Sequence, residues 1–480
     1  MTIAVDGPLA VAGAEIAEDR VGDLMAGLDE LDDATPGYVR AAAYYAGDVP
    51  EFFASARLRR AMAATGAAFH FNFAKIPVDA VVERLRLAAV TCTDATADKA
   101  LRDIWLRNKI ALQSRQVIRR ACEFGDAYVI VWPNPDDDGI DILYNSPRCM
   151  RVIYDEENPL RKSYAVKRWT DGDRIRVDLY YPDRIEKWVT KPKAKGDKPG
   201  DWIEHVDELG DSWPYDNPFG EIPVFHFRTD QPYGVPEHHG FYGPQDAIHK
   251  LILSHMAGVD YQAFPQRYAL LHPDTDSSEA AAEDEDLFAF ADEGTGATVP
   301  PAGEARSQYT ADPGSLWTMR GTASVGQFQT ADHANFTEPM LTYLRMGSEV
   351  TNTPLHRVDP TGDHPSGESL RTAEAPFVHK VEDRQLSFGD TWRELFGCAL
   401  RMAGYGSAEV TVRWTPAQTV NDLEGWQTVA SKLDAGVPPA QAFLEAGYSD
   451  EQVDAWFGAD GWKPRPRLAP APPPPPGNAP

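Results

Sequence analysis

Apolar positions near the start of the chain recur at helical spacing. Ile16, Leu24, Leu28 and Leu31 share one face, which predicts a helix ending before Pro36-Gly37 and a short second helix over 38–46. A longer amphipathic helix is expected over 98–123, with Leu101, Ile104, Trp105, Leu112, Ile118 and Cys122 on its apolar face and Gly125 as its stop. From Ala127 to Phe227 the period shortens. Segments 128–132, 150–154, 164–169 and 175–181 read as strands, punctuated by Asn134-Pro135 and Asp138-Gly139. The alternation around Val177-Asp178-Leu179 predicts an antiparallel sheet with one face covered, and 191–200 reads as an exposed loop.

Helical spacing returns near Pro244, where Ile248, Leu251, Ile252, His255 and Val259 form a stripe that Pro265 should end or bend. Residues 268–305 carry ten acidic side chains and no Lys or Arg, and include Glu283-Asp284-Glu285-Asp286. They read as an insertion before a second helix over 331–350, with Phe336, Met340, Leu344 and Val350 apolar and Pro339 and Gly347 opposing. After a turn-rich loop over 353–365 comes the clearest signal in the chain. Leu370, Ala373, Phe377, Val381, Phe388, Trp392, Leu395, Ala399 and Met402 are separated by three, four or seven residues. Such a helix is on the order of 50 Å long, with Pro376 placed to kink its first third. Its length suggests that part of the face bearing Phe377, Phe388, Trp392 and Phe396 packs on a neighbouring subunit. A strand over 409–414 and small helices around Leu423, Trp426, Val429 and Leu433, then Val453, Trp456 and Phe457, complete the packed part. Nine prolines among residues 464–480 predict an extended tail.

Composition narrows the function. The chain has 480 residues, 42% of them hydrophobic, so more than one packed region is expected. With 73 Asp plus Glu against 46 Lys plus Arg, its formal charge is -27, which argues against a broad basic surface that wraps nucleic acid. No apolar run reaches the ~18 residues of a membrane helix, and residues 1–14 lack the basic flank of a secretory signal. Cys92, Cys122, Cys149 and Cys398 match neither a zinc module nor a disulfide framework and read as reduced, mostly buried thiols.

Chemistry-bearing motifs are scarce. Phosphate loops, dinucleotide turns, His-Glu-x-x-His and Gly-x-Ser-x-Gly are all absent. The run Glu283 to Asp286 offers hard oxygen ligands, which keeps a metal-dependent nuclease as an alternative, although consecutive carboxylates converge poorly. His238-His239 and His249 with His255 invite a metal, but the latter two lie six apart and diverge on a helix. No metal site, cofactor or catalytic residue is expected.

The order of parts carries a resemblance. A mixed N-terminal region, a helix, an inserted module, a returning helix, the loop from Thr353-Pro354, and a long helix introduced by Ser366-Gly367-Glu368-Ser369-Leu370 together resemble the portal proteins of tailed double-stranded-DNA bacteriophages. The resemblance implies an α+β subunit: 1–243 as wing, 244–262 and 331–351 as stem, 263–330 as clip, 352–367 as channel loop, 368–403 as long wing helix, 404–463 as crown and 464–480 as tail. It implies Pro354, Leu355, His356, Arg357, Val358 and His364 as loop residues facing DNA, with Phe377, Val381, Phe388, Trp392 and Leu395 as packing residues of the long helix. The function implied is a non-enzymatic, homododecameric ring at one capsid vertex, through which DNA is packaged and ejected. Its partners would be double-stranded DNA in transit, the packaging terminase, a head-tail adaptor and the major capsid protein, without a membrane. Assembly would occur in the host cytoplasm and residence in the virion. Another virion structural protein is the remaining alternative. Ser366 suits a helix cap, and Glu368 suits its first turn. Strong acidity also suits a conduit that must not grip phosphates.

Overall fold

The computed structural model describes residues 9–48, 71–137, 139–207, 212–263, 267–271, 316–320, 324–327, 334–359, 367–406, 408–418 and 422–446, and positions 448, 453, 456 and 457. Pro265, the acidic run 283–286, His364, Ser366 and the proline tail lie outside the described residues. In chain order, α1 (Leu9–Ala46) and α2 (Lys75–Arg84) precede β1 (Leu87–Cys92), α3 (Ala95–Arg107) and α4 (Ile110–Phe124). A run of strands follows: β2 (Asp126–Pro133), β3 (Ile140–Asn145), β4 (Met150–Tyr154), β5 (Lys162–Asp171), β6 (Arg174–Tyr180), β7 (Arg184–Thr190), β8 (Trp202–Glu204), β9 (Tyr215–Asp216) and β10 (Val224–Arg228). Then come α5 (Tyr242–Ala263), β11 (Arg267–Leu271), β12 (Leu316–Arg320), β13 (Ser324–Gln327), α6 (Ala334–Val350), α7 (Gly367–Met402), β14 (Val410–Trp414), α8 (Asp422–Asp434) and α9 (Pro439–Glu445). The chain divides into one compact unit of Met1–Gly47, Ala74–Gly240 and Ser348–Pro480, and another of Asp48–Phe73 and Phe241–Gly347.

In the first unit β2 shows why the layers form. Because side chains alternate across a strand, Ala127, Val129 and Val131 enter one core while Tyr128 and Ile130 enter another. β2 pairs antiparallel with β10 and with β3. Its first face meets α2, α3, α4 and the long helix α7. Its second face meets the antiparallel sheet ordered β4-β5-β6-β7-β8, through Met150, Val152, Ala165, Tyr180 and Ile185. The far side of that sheet, including Tyr164, Val166, Val177, Leu179 and Trp188, is covered by Leu24 and Leu28 of α1. The expectation of one covered face is therefore corrected: both are covered, and Asp178 is buried, its pKa pushed up to about 6 by burial.

α1 also departs from its expectation, running unbroken through Pro36. Proline removes one N–H from the helix ladder, but Leu24, Leu28 and Leu31 on one side of it and Tyr38, Ala41 and Tyr44 on the other are all buried, and Thr35 Oγ1 donates to Leu31 O at 2.7 Å. Packing on both flanks outweighs the lost bond. The single helix expected over 98–123 is two helices, because Lys109 adopts a left-handed φ of 49° between α3 and α4, leaving Leu112 exposed. Gly125, at φ 88°, ends α4 as expected. Its backbone also approaches Gly234 so closely that a Cβ on Gly234 would stand 2.0 Å from the Gly125 oxygen, so neither position has room for a side chain.

The stripe on α7 lies inside this unit from Phe377 to Ala399, whereas Ala373 is exposed and Leu370 and Met402 are half-buried. Phe377, Val381, Phe388, Trp392, Leu395, Phe396 and Ala399 are all buried in the chain's own core. Trp392 packs on Phe227 of β10 with ring centroids 4.7 Å apart, and Trp105 stacks on Phe396 at 6.3 Å. A neighbouring subunit is thus not needed to cover Phe377, Phe388, Trp392 or Phe396. The helix continues past Pro376. β14 pairs with β1 in register from Ala89↔Arg413 to Cys92↔Val410, tying the C-terminal region to the N-terminal helices.

In the second unit Gln245 of α5 accepts from Phe73 N–H at 2.9 Å and donates to Phe71 O at 2.7 Å. β11 pairs parallel with β12 and antiparallel with β13. His255 of α5 meets Phe336 of α6 edge-on, with ring centroids 5.5 Å apart. No helix among the described residues is long and apolar enough to cross a membrane.

Truncating Trp392 to Ala should destabilise the chain by about 3–5 kcal/mol. Denaturant unfolding followed by tryptophan fluorescence measures this, and a change within ~0.5 kcal/mol would contradict the packing described.

Candidate functional site: a loop pinned to the long helix

The loop that follows α6 starts from a defined helix ending. Asn352 takes a left-handed φ of 49°, Thr353 N–H donates to Ser348 O at 2.9 Å, and Asn352 N–H donates to Glu349 O at 3.1 Å. This pair of bonds satisfies carbonyls that a helix end otherwise leaves open, and asparagine tolerates the conformation. The buried hydroxyls of Thr351 and Thr353 lie 2.8 Å apart, and Ser348 Oγ donates to Thr353 O at 2.5 Å. The chain then makes a short 3-10 turn over Leu355–Arg357, closed by Val358 N–H and Asp359 N–H donating to Leu355 O.

Beside the end of α6 lies a buried charge cluster. Glu237 is buried and receives Lys380 Nζ at 2.6 Å and Arg384 Nε at 2.5 Å. Lys380 and Arg384 are four apart on α7 and therefore share a face. Lys380 Nζ also donates to Thr351 O at 2.9 Å, while Glu237 N–H donates to Cys122 O. Burial alone would raise the Glu237 pKa, but Lys380 and then Arg384 outweigh it and hold the carboxyl below its ordinary value. A cleft of about 500 Å³ opens beside the cluster, lined by Glu237, His239, Asn352, Pro376, Lys380 and Arg384 among others. Glu237, Lys380 and Arg384 neutralise one another in its wall, and Asp383 and His379 also line it. A Cβ on Gly240 would stand 2.7 Å from Val350 Cγ1, so the 235–240 segment and the end of α6 approach closely there.

Of the residues singled out in the loop, Pro354 and Val358 are buried and Leu355 is 46% exposed. Arg357 Nη2 donates to Glu83 Oε2 at 2.7 Å. His356 Nε2 lies 3.5 Å from Glu374 Oε1, and Arg84 Nη2 lies 3.5 Å from the other Glu374 oxygen. Among the described loop residues Arg357 and His356 are thus turned toward carboxylates of the same chain.

The paired histidines are placed separately. His238 is buried with Nε2 2.9 Å from Ala41 O, and burial lowers its pKa to about 4; His239 is exposed. His249 Nε2 lies 2.8 Å from Gln245 Nε2. Among the described residues no group of His, Cys, Asp and Glu is placed to hold a metal ion.

A second polar cluster went unnoticed in the sequence. Asp126 Oδ1 lies 2.8 Å from His226 Nε2 and accepts from Gly234 N–H at 2.7 Å, while Oδ2 accepts from Tyr38 at 2.7 Å. An ionised carboxylate only accepts, so Nε2 carries the imidazole proton and Nδ1, 2.8 Å from Tyr154 OH, accepts from it. Burial lowers the His226 pKa despite Asp126, which keeps the ring neutral. Asp126 and His226 are both buried. The arrangement resembles a catalytic relay in partners only, since substrate has no access. It joins α1, β2, β4 and β10 instead.

The sequence pattern of the phage portal protein, SPP1 Gp6-like, family matches residues 36–457. The chain belongs to this phage portal protein family. The portal protein of Mycobacterium phage L5 is 24% identical over 421 residues, covering 81% of this chain and 78% of that protein. Among solved structures, the neck of an empty GTA particle computed with C6 symmetry is 13% identical, with a TM-score of 0.45 over 82% of this chain and 95% of that one. The neck of a native GTA particle computed with C12 symmetry gives 13%, 0.43, 85% and 94%. The portal protein is a structural virion component and not an enzyme, which sets aside the nuclease alternative, whose acidic run lies outside the described residues.

In this portal protein Glu237→Gln should cost about 3–5 kcal/mol, because two cations lose a buried carboxylate. A depressed carboxyl pKa stabilises the fold above the unfolded value of about 4.3, and that contribution is lost as pH falls through the lower folded pKa. The stability gap between variant and parent should therefore be full at pH 7 and narrow below pH ~4, read from denaturation midpoints across pH. A gap independent of pH would contradict the assignment.

Proposed function

We propose that copies of this portal protein form a ring at one capsid vertex and that double-stranded DNA passes through its opening during packaging and ejection. Residues 244–262 and 331–351 serve as stem, 263–330 as clip, 1–243 and 368–403 as wing, and 404–463 as crown, with 352–367 facing the opening. The packaging terminase, a head-tail adaptor and the major capsid protein are the partners, the ring is a homododecamer, and assembly takes place in the host cytoplasm.

The observation that carries this reading is the family match across 36–457. Several physical features agree with it. The net charge of -27 opposes tight phosphate binding. Among the described residues the second compact unit holds two helices with a small sheet encoded between them, a composition suited to a stem that carries a clip. The loop assigned to the opening exposes Leu355 and keeps Arg357 on Glu83, which suits a surface that lets a polyanion slide.

Electron microscopy of the purified full-length protein tests the proposal. Rings with a central opening are expected. Solid particles in every condition, including isolated virion vertices, would contradict it.

A further inference from the structure

Arg357 is the sole Arg or Lys between residues 353 and 359, and it is held by a carboxylate from a distant part of the chain, Glu83 at the end of α2. Both groups lie at the surface, with side-chain exposures of 37% and 54%. Glu374 on α7 takes up the neighbouring positions in the same way, lying between His356 and Arg84. Arg84 in turn donates to Ala417 O at 3.0 Å, so this guanidinium is directed inward.

We infer that Glu83 sets how tightly the loop holds DNA, by occupying the Arg357 guanidinium and cancelling its charge. The inference rests on the reading that this loop faces the DNA path. A guanidinium without a partner binds phosphate oxygens strongly and bidentately. Each phosphate neutralised also releases counterions, so affinity and its salt dependence both rise. An exposed ion pair contributes little to stability, but two features make Glu83 effective. It removes the local positive charge that draws phosphates in, and it does so in every subunit of a ring. Without it, several guanidiniums would meet the same duplex together, and their summed attraction would oppose sliding in both directions. Glu83 is thus a positioning residue for Arg357, and the loop's meeting with DNA is left largely to the exposed apolar Leu355.

The test uses the assembled full-length protein and a duplex of about 30 base pairs, with binding followed by fluorescence anisotropy between about 50 and 200 mM salt. Because the Glu83 pair is exposed, Glu83→Gln leaves the fold intact. Glu83→Gln should tighten binding at low salt. It should also steepen the salt dependence by about 0.9 in log–log slope for each additional phosphate neutralised, roughly a threefold larger affinity loss over that range. Adding Arg357→Gln to Glu83→Gln should return both quantities to the parent values. Unchanged binding in Glu83→Gln rings that still show a central opening would overturn the inference and leave the ring reading standing. Tighter binding that survives Arg357→Gln would also overturn it, because the attraction would then come from another group. Particles without an opening would remove the reading and this inference together.

Discussion

A carboxylate taken out of water must be matched by cations, and Glu237 is matched by two that one helical turn of α7 brings together. This constraint organises the region around the loop. Lys380 bonds at once to Glu237 and to the Thr351 carbonyl, so the chain approaching Gly240 and the chain leaving α6 are both held to the same point on α7. The Gly240–Val350 approach leaves no space for a side chain between them. The position of the 353–359 loop follows from this: its start is fixed by the helix ending at Asn352 and by the buried Ser348, Thr351 and Thr353 contacts.

The same rule governs the rest of the first unit. Polar groups enter its interior in clusters, and those around Asp126 and Glu237 join elements far apart in sequence. Asp126 collects His226, Tyr38 and the Gly234 N–H, and Tyr154 of β4 meets His226, which joins α1 to the two sheets. Between these clusters the packing is apolar, with β2 buried on both faces and α7 lying along β10 through Phe388, Trp392 and Phe227. Removing either cation partner of Glu237 would leave a buried carboxylate less well matched.

Where burial follows a simple period, the sequence was legible. The α7 stripe, the strand Met150–Tyr154 and the stop at Gly125 were read from spacing and turn chemistry alone. Where tertiary packing overrides a local preference, it was not: Pro36 sits inside a helix held by apolar contacts on both sides, and Lys109 turns the chain although no glycine marks the position. Covering a sheet on its second face also requires a helix from far earlier in the chain, which no local pattern reports. Asp126, His226 and Glu237 were missed for a related reason. Each is an ordinary polar residue in sequence and gains its role from partners roughly 70 to 150 residues distant. The loop residues were singled out by resemblance, but their ion-pair partners were not, since Glu83 and Glu374 belong to other elements.

An acidic portal protein whose loop cation is already neutralised is suited to conduct DNA without retaining it. The most direct test of that claim is a high-resolution reconstruction of the ring at the capsid vertex with DNA inside. The account predicts residues 353–359 lining the opening, Leu355 toward the duplex and Arg357 still on Glu83. A reconstruction with this loop on the outer rim, or with Arg357 turned onto a phosphate, would contradict it.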